Sequence, residues 1–393
     1  MNFRWFISKT IRQATEMHRQ VRKLLQHQRD LLSPPAVEGL TQAMSAMEFT
    51  LATSADRAGV KKQMEELEKA ANKWLKPYPS ASIRENIEVF LVAIAVAVGI
   101  RTFFVQPFKI PTGSMQPTLF GVTFESLRSA DEIPGSVARF FGFWIRGVSY
   151  AHETAEADGP VTSVGRPSKF LLFNLRQEYT AGGSRKKIWF PEDRIFDYAG
   201  VTPGRFYRRG EDIIPPTRIH SGDHLFVNRL TYNFRKPHRG EIIVFATGGT
   251  AIPQQDQFYI KRLVALGGEK VSIGDDQHLV IDGWRLDAST EHFENVYTFE
   301  KGHPPANGLR GYFGHANDVT GKLVLGPMAN LAPYFRDASS TYEVPSDAYL
   351  AFGDNTLNSS DSRSWGPVPQ QNVIGKSFFV YWPITSRFGL GNR

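Results

Sequence analysis

The chain contains no cysteine. That absence excludes disulfides, Cys-ligated zinc and thiol catalysis together, and it suits an oxidising or a reducing compartment equally. His-Glu-x-x-His is missing too, which sets aside a zincin. Neither Gly-x-Ser-x-Gly nor Gly-x-x-x-x-Gly-Lys-Ser/Thr occurs, which argues against an α/β-hydrolase and a P-loop nucleotidase. Net charge is scarce: 46 Lys and Arg against 39 Asp and Glu leave a formal +7 over 393 residues. An excess of that size suits a membrane surface as well as nucleic acid. With no zinc-finger spacing and no basic leucine zipper, no nucleic-acid partner is expected. His152, His220, His224 and His238 are scattered without ligand spacing, and no metal is implied.

Long apolar runs are almost as rare, and only Val89 to Val105 stands out. Its twelve uninterrupted residues, Val89 to Ile100, make about 18 Å of helix against a ~30 Å hydrocarbon core, a length that fits a buried helix as well. Phe103, Phe104 and Val105 lengthen the run to 17 residues. Arg101 lies where a long side chain snorkels to the interface, and Pro107 stops the helix. The expectation is one transmembrane helix over residues 84–106. Lys69, Lys73, Lys76 and Arg84 precede it and Arg101 and Lys109 follow it, a bias that favours a cytoplasmic N-terminus.

The N-terminus does not read as a cleavable signal peptide, because Met1 to Asp30 is basic throughout and has no 7–15-residue apolar block. Phe3, Ile7, Ile11, Ala14, Met17, Val21, Leu24 and Leu25 recur at helical spacing. Ser33-Pro34-Pro35 breaks that pattern, and a second runs through Leu40, Met44, Met47, Leu51, Met64, Leu67, Ala71 and Trp74. Residues 1–80 are therefore a helical extension, as a hairpin, a short coiled coil or a membrane-surface segment, with Pro77 to Ser80 as linker.

From residue 107 to 393 the texture is β, with short β-branched or aromatic runs between Gly, Pro, Asn and Asp. Candidate strands are Asp223–Leu230, Glu241–Phe245, Phe258–Leu266, Lys270–Ile273, His278–Ile281, Lys322–Leu325, Tyr349–Phe352 and Ser377–Tyr381. The fold class expected is mainly β, an antiparallel, barrel-like domain. Two additions interrupt it, one at about 120–219 with no clear period and one at about 282–345.

Three stretches carry chemistry. In Phe258-Tyr259-Ile260-Lys261-Arg262-Leu263-Val264, strand alternation must bury a cation on one face or the other. Either the lysine stem packs while the ammonium reaches water, or desolvation lowers the amine's pKa towards general-base duty. Ser114 sits beside Gly113 between Pro111 and Pro117, a setting that fits an ordinary turn or a nucleophile open to close approach. Thr112 could aim a hydroxyl at an oxyanion on the same side, with the Ser114 N–H as second donor. Gly353 to Arg363 has the composition of Asx and Ser turns, which fits a structural loop for most of its residues; Ser359 is either part of that loop or a hydroxyl placed to orient the lysine amine.

These stretches occur in one order: residues 107–119, 221–232, 239–245, 259–264 and 353–366, behind the apolar run. Together they resemble type I signal peptidases, the membrane-bound Ser–Lys proteases that remove signal peptides from exported proteins. The resemblance implies Ser114 as nucleophile, Lys261 as general base, Thr112 as oxyanion donor and Ser359 as the hydroxyl that holds the lysine. It implies Asp361 and Arg363, with Arg262, as residues that order the site. Ile110, Pro111, Met115, Leu119 and Tyr259 would line shallow pockets for small residues at −1 and −3 of the cleavage site. It implies no cofactor, secretory preproteins as substrates, the bilayer and a protein translocase as partners, and a single-pass place in the cytoplasmic membrane with the β domain on the outer side. A peptidase dedicated to one partner and a β scaffold without catalysis are the alternatives. Departures from the family pattern are Thr112 where Ser is frequent, Gly267-Gly268-Glu269 where Pro-Gly-Asp is usual, Thr356 where Arg is common, and about 100 residues between Leu119 and Ser221.

Overall fold

The computed structural model describes residues 8–53, 57–76, 81–170, 173–297 and 314–390. The chain divides into two compact units, Met1–Ala95 and Val96–Arg393.

In the first unit, Ser8 caps helix α1 (Lys9–Gln28). Pro34 and Pro35 open α2 (Pro34–Thr53), which is tolerated because the first N–H groups of a helix have no intrahelical partner. Helix α3 (Arg57–Trp74) follows. The sequence pattern suggests two helices, whereas the described residues form three, because the apolar positions of the second pattern lapse between Leu51 and Met64. Gly39, early in α2, lies against Trp74 at the end of α3, so the two run antiparallel. Gln28 closes the bundle, donating to the Lys76 carbonyl (2.9 Å) and accepting from the Lys76 N–H (3.0 Å). Ala14, Val21, Leu25, Leu40, Met47, Val60 and Leu67 form its core. Phe3, Ile7 and the linker Pro77 to Ser80 lie outside the described residues.

Helix α4 (Ala81–Phe103) carries the apolar run. Its stretch Glu85–Phe103 spans 19 residues with none buried, and at 1.5 Å per residue it measures about 28 Å. Among the described residues it is the one helix long and apolar enough to cross a membrane.

After α4 the chain turns to strands. In order these are β1 (Val105–Lys109), β2 (Thr123–Ser126), then helix α5 (Ser136–Arg146), β3 (Val148–Thr154), β4 (Gly159–Val164), β5 (Ser168–Phe170), β6 (Phe173–Ala181), β7 (Ser184–Trp189), β8 (Phe206–Tyr207), β9 (Asp212–His220) and β10 (His224–Asn228). There follow β11 (Ile242–Ala246), β12 (Phe258–Ala265), β13 (Lys270–Ile273), β14 (Leu279–Ile281), β15 (Trp284–Arg285), helix α6 (Asp318–Leu325), β16 (Tyr342–Glu343), β17 (Ala348–Phe352), β18 (Val368–Pro369), β19 (Val373–Trp382) and β20 (Gly389–Leu390). The main sheet runs β1-β10-β19-β11-β12-β17-β18, with β20 on β19, and its pairs are antiparallel. It curls, but its path stays open, with β1 and β18 as its ends.

Residues 120–219, aperiodic in sequence, form two antiparallel sheets, β2-β9-β3 and β5-β6-β4-β8 with β7 on β6, round Val161, Tyr179, Phe196 and Ile214. The sequence hides β9 because Pro215-Pro216 sits inside it. Proline cannot donate to a ladder, and β3 shifts register beside the pair, between Ala151 and Glu153. This excursion returns to where it left. Asp223 donates its N–H to the Phe120 carbonyl (2.8 Å), its carboxylate accepts from the Phe120 N–H (2.8 Å), and its carbonyl accepts from the Ile110 N–H (2.9 Å).

Strands β13 to β16 form a third small sheet, β15-β14-β13-β16. Val271, Ile273, Leu279, Phe293, Tyr297 and Phe335 pack there with Phe352 of the main sheet. The second addition, expected over 282–345, thus shares its sheet with β13 and β14, and its residues 298–313 lie outside the described residues. The strand expected at Lys322–Leu325 is instead the end of α6. Asn317 caps that helix by accepting from the Thr320 N–H (2.8 Å), and Lys322 pairs with Asp318 one turn back (2.6 Å), so local capping outweighs the β-branched composition.

Gly222 lies where a Cβ would fall 1.8 Å from the Ile110 carbonyl oxygen, a rigid backbone atom beside the returning excursion. Gly222→Ala is expected to destabilise the second unit by about 3 kcal/mol, seen as a lower denaturant midpoint with unchanged m-value.

Candidate active site

Strand alternation on β12 turns Lys261 and Arg262 to opposite faces. The strand is interior, paired with β11 (Lys261 opposite Ile243) and with β17 (Arg262 opposite Phe352), so neither side chain sits on an edge. Both are buried: Lys261 is 5% exposed and Arg262 not at all.

Ser114 reaches Lys261 from the loop after β1. Its 3₁₀ turn, Gly113–Met115, is held to the 353–363 segment by two bonds from Asn355, one from its backbone and one from its side chain. The Ser114 carbonyl accepts from the Asn355 N–H (3.0 Å), and the Gly113 carbonyl accepts from Asn355 Nδ2 (3.0 Å). A Cβ on Gly353 would lie 2.2 Å from Ser359 Oγ and 2.5 Å from the Ser114 carbonyl oxygen, so only glycine permits this approach. The outcome is a contact of 2.7 Å between Ser114 Oγ and Lys261 Nζ, both residues buried.

Burial pushes the Lys261 amine from 10.5 down to about 8. Asp361 and Asp354 pull it up and Arg363 pushes it down, and desolvation outweighs them. Each nearby carboxylate is paired. Arg262 forks onto Asp354 (Nε to Oδ1 2.7 Å, one terminal nitrogen to Oδ2 2.6 Å) and donates to the Gly240 carbonyl (2.7 Å), while Thr118 Oγ1 donates to Asp354 (2.5 Å). Arg363 forks onto Asp361 in the same way (2.8 and 2.7 Å) and also donates to the hydroxyl and carbonyl of Thr356. Burial alone would raise the Asp361 carboxyl, but Arg363 and the Gly353 N–H hold it below the usual carboxylate range.

The remaining residues singled out from sequence are distributed unevenly. Ser359 is buried beside Gly353; its hydroxyl makes no hydrogen bond of good geometry, to Lys261 or to another group, although it lies near enough to Asp361 to help keep that carboxyl ionised. Thr112 is exposed and flanks the Ser114 turn, and its side chain makes no capping bond. Pro111 is exposed and Tyr259 half-buried, the Tyr259 hydroxyl donating to Gln254 (2.7 Å). Ile110, Met115 and Leu119 are fully packed among Leu225, Val227, Ile242, Val244 and Val380, so here they wall the loop from behind and present no surface of their own.

Sequence reasoning did not pick out Asp354, Thr118, Gly353 or Asn355. One signal was available: an arginine on the face opposite a buried lysine needs a buried carboxylate, and Asp354 lies in the same turn-rich stretch as Asp361. Arg262 therefore belongs with Asp354, and Asp361 with Arg363.

A family model described as "Signal peptidase, peptidase S26" matches residues 83–125 and 215–382, more than half of the chain. The unmatched gap coincides with the excursion between β2 and β9. A signal peptidase I of Leptolyngbya laminosa is 29% identical over 47% of this chain and 71% of its own length. A probable signal peptidase I-2 of Synechocystis is 30% identical over 44% of this chain and 60% of its own length. A solved signal peptidase I from Enterococcus faecalis is 27% identical, covering 36% of this chain and 97% of that one, with a TM-score of 0.24.

Two outcomes follow from the burial of Lys261. Below pH 8 the folded state carries a buried ammonium that the unfolded state would hydrate, and above 10.5 both states hold a neutral amine. Lys261→Met should therefore stabilise the fold at pH 7 by about 3 kcal/mol, the gain fading as pH rises from about 8 to 10.5; thermal melts across that range test it. Asp361→Asn removes a charge that raises the amine's pKa, so the Lys261 midpoint, followed by NMR, should fall below about 8.

Proposed function

The chain belongs to the signal peptidase, peptidase S26, family of serine endopeptidases, and from that premise we propose that it removes signal peptides from exported preproteins after small residues, by a Ser114–Lys261 pair. The observation that carries this reading is the 2.7 Å contact between a buried amine and a buried hydroxyl. With its pKa near 8, about one Lys261 in ten is neutral at pH 7, against roughly one in 10³ for a lysine in water. The neutral amine accepts the Ser114 Oγ proton as the oxygen attacks the carbonyl after the small residue. Thr112 Oγ1 and the Ser114 N–H donate to the oxyanion, and the resulting lysine ammonium returns its proton to the departing amine. Water, deprotonated by the same lysine, then releases the acyl group from Ser114. Ser359 and the Arg363–Asp361 pair order the amine, while Arg262–Asp354 braces the opposite face of β12. Pro111 and Tyr259 contact the substrate, with Ile110, Met115 and Leu119 shaping the wall behind them.

In this reading α4 is a single membrane span, the N-terminus is cytoplasmic, and the β-rich unit faces preproteins on the outer side of the cytoplasmic membrane, within reach of the translocase. The excursion over 126–214, outside the family match, favours a narrower substrate range as a second reading. Comparing the secreted proteome with and without the protein separates one substrate from many.

Ser114→Ala and Lys261→Ala should each lower kcat/KM on a signal-peptide substrate by about 10³-fold or more while leaving a folded protein. Because the amine must be neutral, wild-type kcat/KM should rise about tenfold per pH unit below about 8 and level off above it. A profile flat through that range, or full activity in either variant, would overturn the pair.

A further inference from the structure

One carboxylate of the excursion reaches past the excursion's own core to the strand that leads into the Ser114 loop. Glu192 lies between β7 and β8 and is 6% exposed. Its Oε2 accepts from Lys109 Nζ (2.5 Å) and its Oε1 from Ser221 Oγ (2.8 Å). Lys109 is the last residue of β1, just ahead of the Ser114 loop, and Ser221 stands where the excursion returns, between β9 and β10. A carboxylate taken this far out of water is tolerated when its oxygens are partnered, and here two separate chain segments supply the partners. Glu192 lies outside the family match, whereas Lys109 and Ser221 lie within it.

Glu192 is delivered from a firm support. Asn174 of β6 donates through Nδ2 to the Pro191 carbonyl (2.8 Å) and to Asp193 Oδ1 (3.0 Å), and Ile195 and Phe196 are buried in the excursion's core. The adjacent carboxylate is already committed, because Asp193 pairs with Lys169 (3.0 Å). Lys109 is placed as firmly on its side, opposite buried His224 at the end of the β1–β10 ladder. Burial first, and then the Lys109 charge, push the His224 imidazole down to about 3, so no second cation competes there for Glu192. Strand β1 itself is an end strand, paired among the described residues with β10 alone. Past Lys109, the Ile110 N–H bond to the Asp223 carbonyl is followed by the loop, so the Glu192 clamp falls at the last point where β1 can be held.

We propose that Glu192 is a positioning residue for the Ser114–Lys261 reaction: by clamping Lys109 to Ser221 it fixes the end of β1, and with it the setting of Ser114 against Lys261. That role rests on the Ser114–Lys261 reading and extends it to the excursion, which acts on the catalytic loop through one ion pair and not through shared apolar packing. Without the carboxylate, Lys109 is a largely buried ammonium with no counter-charge beside it. Relief comes when the end of β1 moves outward until that ammonium meets water. The same movement draws Ser114 away from Lys261 and lets water reach the amine. A rehydrated lysine holds its proton more tightly, so fewer molecules carry the neutral base at pH 7.

The test compares the full chain with its Glu192→Ala and Glu192→Gln variants on one signal-peptide substrate, at a temperature where circular dichroism shows each protein folded. Glu192→Gln keeps the side chain's shape and an acceptor for Ser221, so it decides the matter if Glu192→Ala does not fold. The expected result is a kcat at pH 7 lowered about tenfold, with KM within about twofold of wild type. The midpoint of the kcat/KM profile should also move upward from about 8 towards 10.5, each pH unit of rise removing about nine-tenths of the neutral amine at pH 7. Wild-type kcat with only a lower melting temperature overturns the positioning role and leaves the Ser114–Lys261 pair standing. A loss carried by KM alone overturns it in favour of a substrate contact. A lowered kcat with the midpoint still near 8 overturns it as well, because the amine has then kept its dry setting. A wild-type chain that cleaves nothing overturns the Ser114–Lys261 reading itself, and this role with it.

Discussion

The burial of one amine beside one hydroxyl is the constraint on which the rest of the second unit depends. Lysine is seldom taken fully out of water, and here no carboxylate is spent on Lys261 itself. Instead Asp354 is committed to Arg262 and Asp361 to Arg363, each by a two-pronged pair. Burial is the largest influence on the amine, and it outweighs the opposing pulls of Asp361, Arg363 and Asp354. A single unpaired carboxylate in either place would hold the lysine as an ammonium and disable it as a base. The cost in stability is local, and the surrounding apolar packing sustains it.

Close backbone approach is the second requirement. The Ser114 turn has to meet both β12 and the 353–363 segment, and this works because Gly353 offers no Cβ where Ser359 and the Ser114 carbonyl converge. Behind the loop, Ile110, Met115 and Leu119 anchor it in the core, so the serine is presented by a rigid support. Gly222 and Asp223 do the same for the excursion, whose two ends are bonded to each other next to Ile110. About a hundred residues can leave and return there without moving the serine, because the junction is already closed.

The N-terminal helices and the excursion, both beyond the family match, share a logic. Each folds round its own core, so neither draws on the packing that holds Lys261. The excursion can then present an aromatic helix outward while its attachment to β19 stays firm.

Sequence by itself determined the elements with strong local signals: the apolar run of α4, the helical extension, the strands from β10 to β14, and the residues Ser114, Lys261, Asp361 and Arg363 as the ones worth watching. It did not reveal the third N-terminal helix, the strands around Pro215-Pro216, or the helix that Asn317 caps at Lys322–Leu325, because in each case pattern and local chemistry point different ways. Only the tertiary structure decided which buried arginine takes which carboxylate, that Ile110, Met115 and Leu119 turn inward, and that Oγ and Nζ stand 2.7 Å apart. The reason is physical. Periodicity and composition report on neighbours along the chain, whereas a pKa and a contact between residues 147 positions apart depend on what folding brings together and how much water it removes.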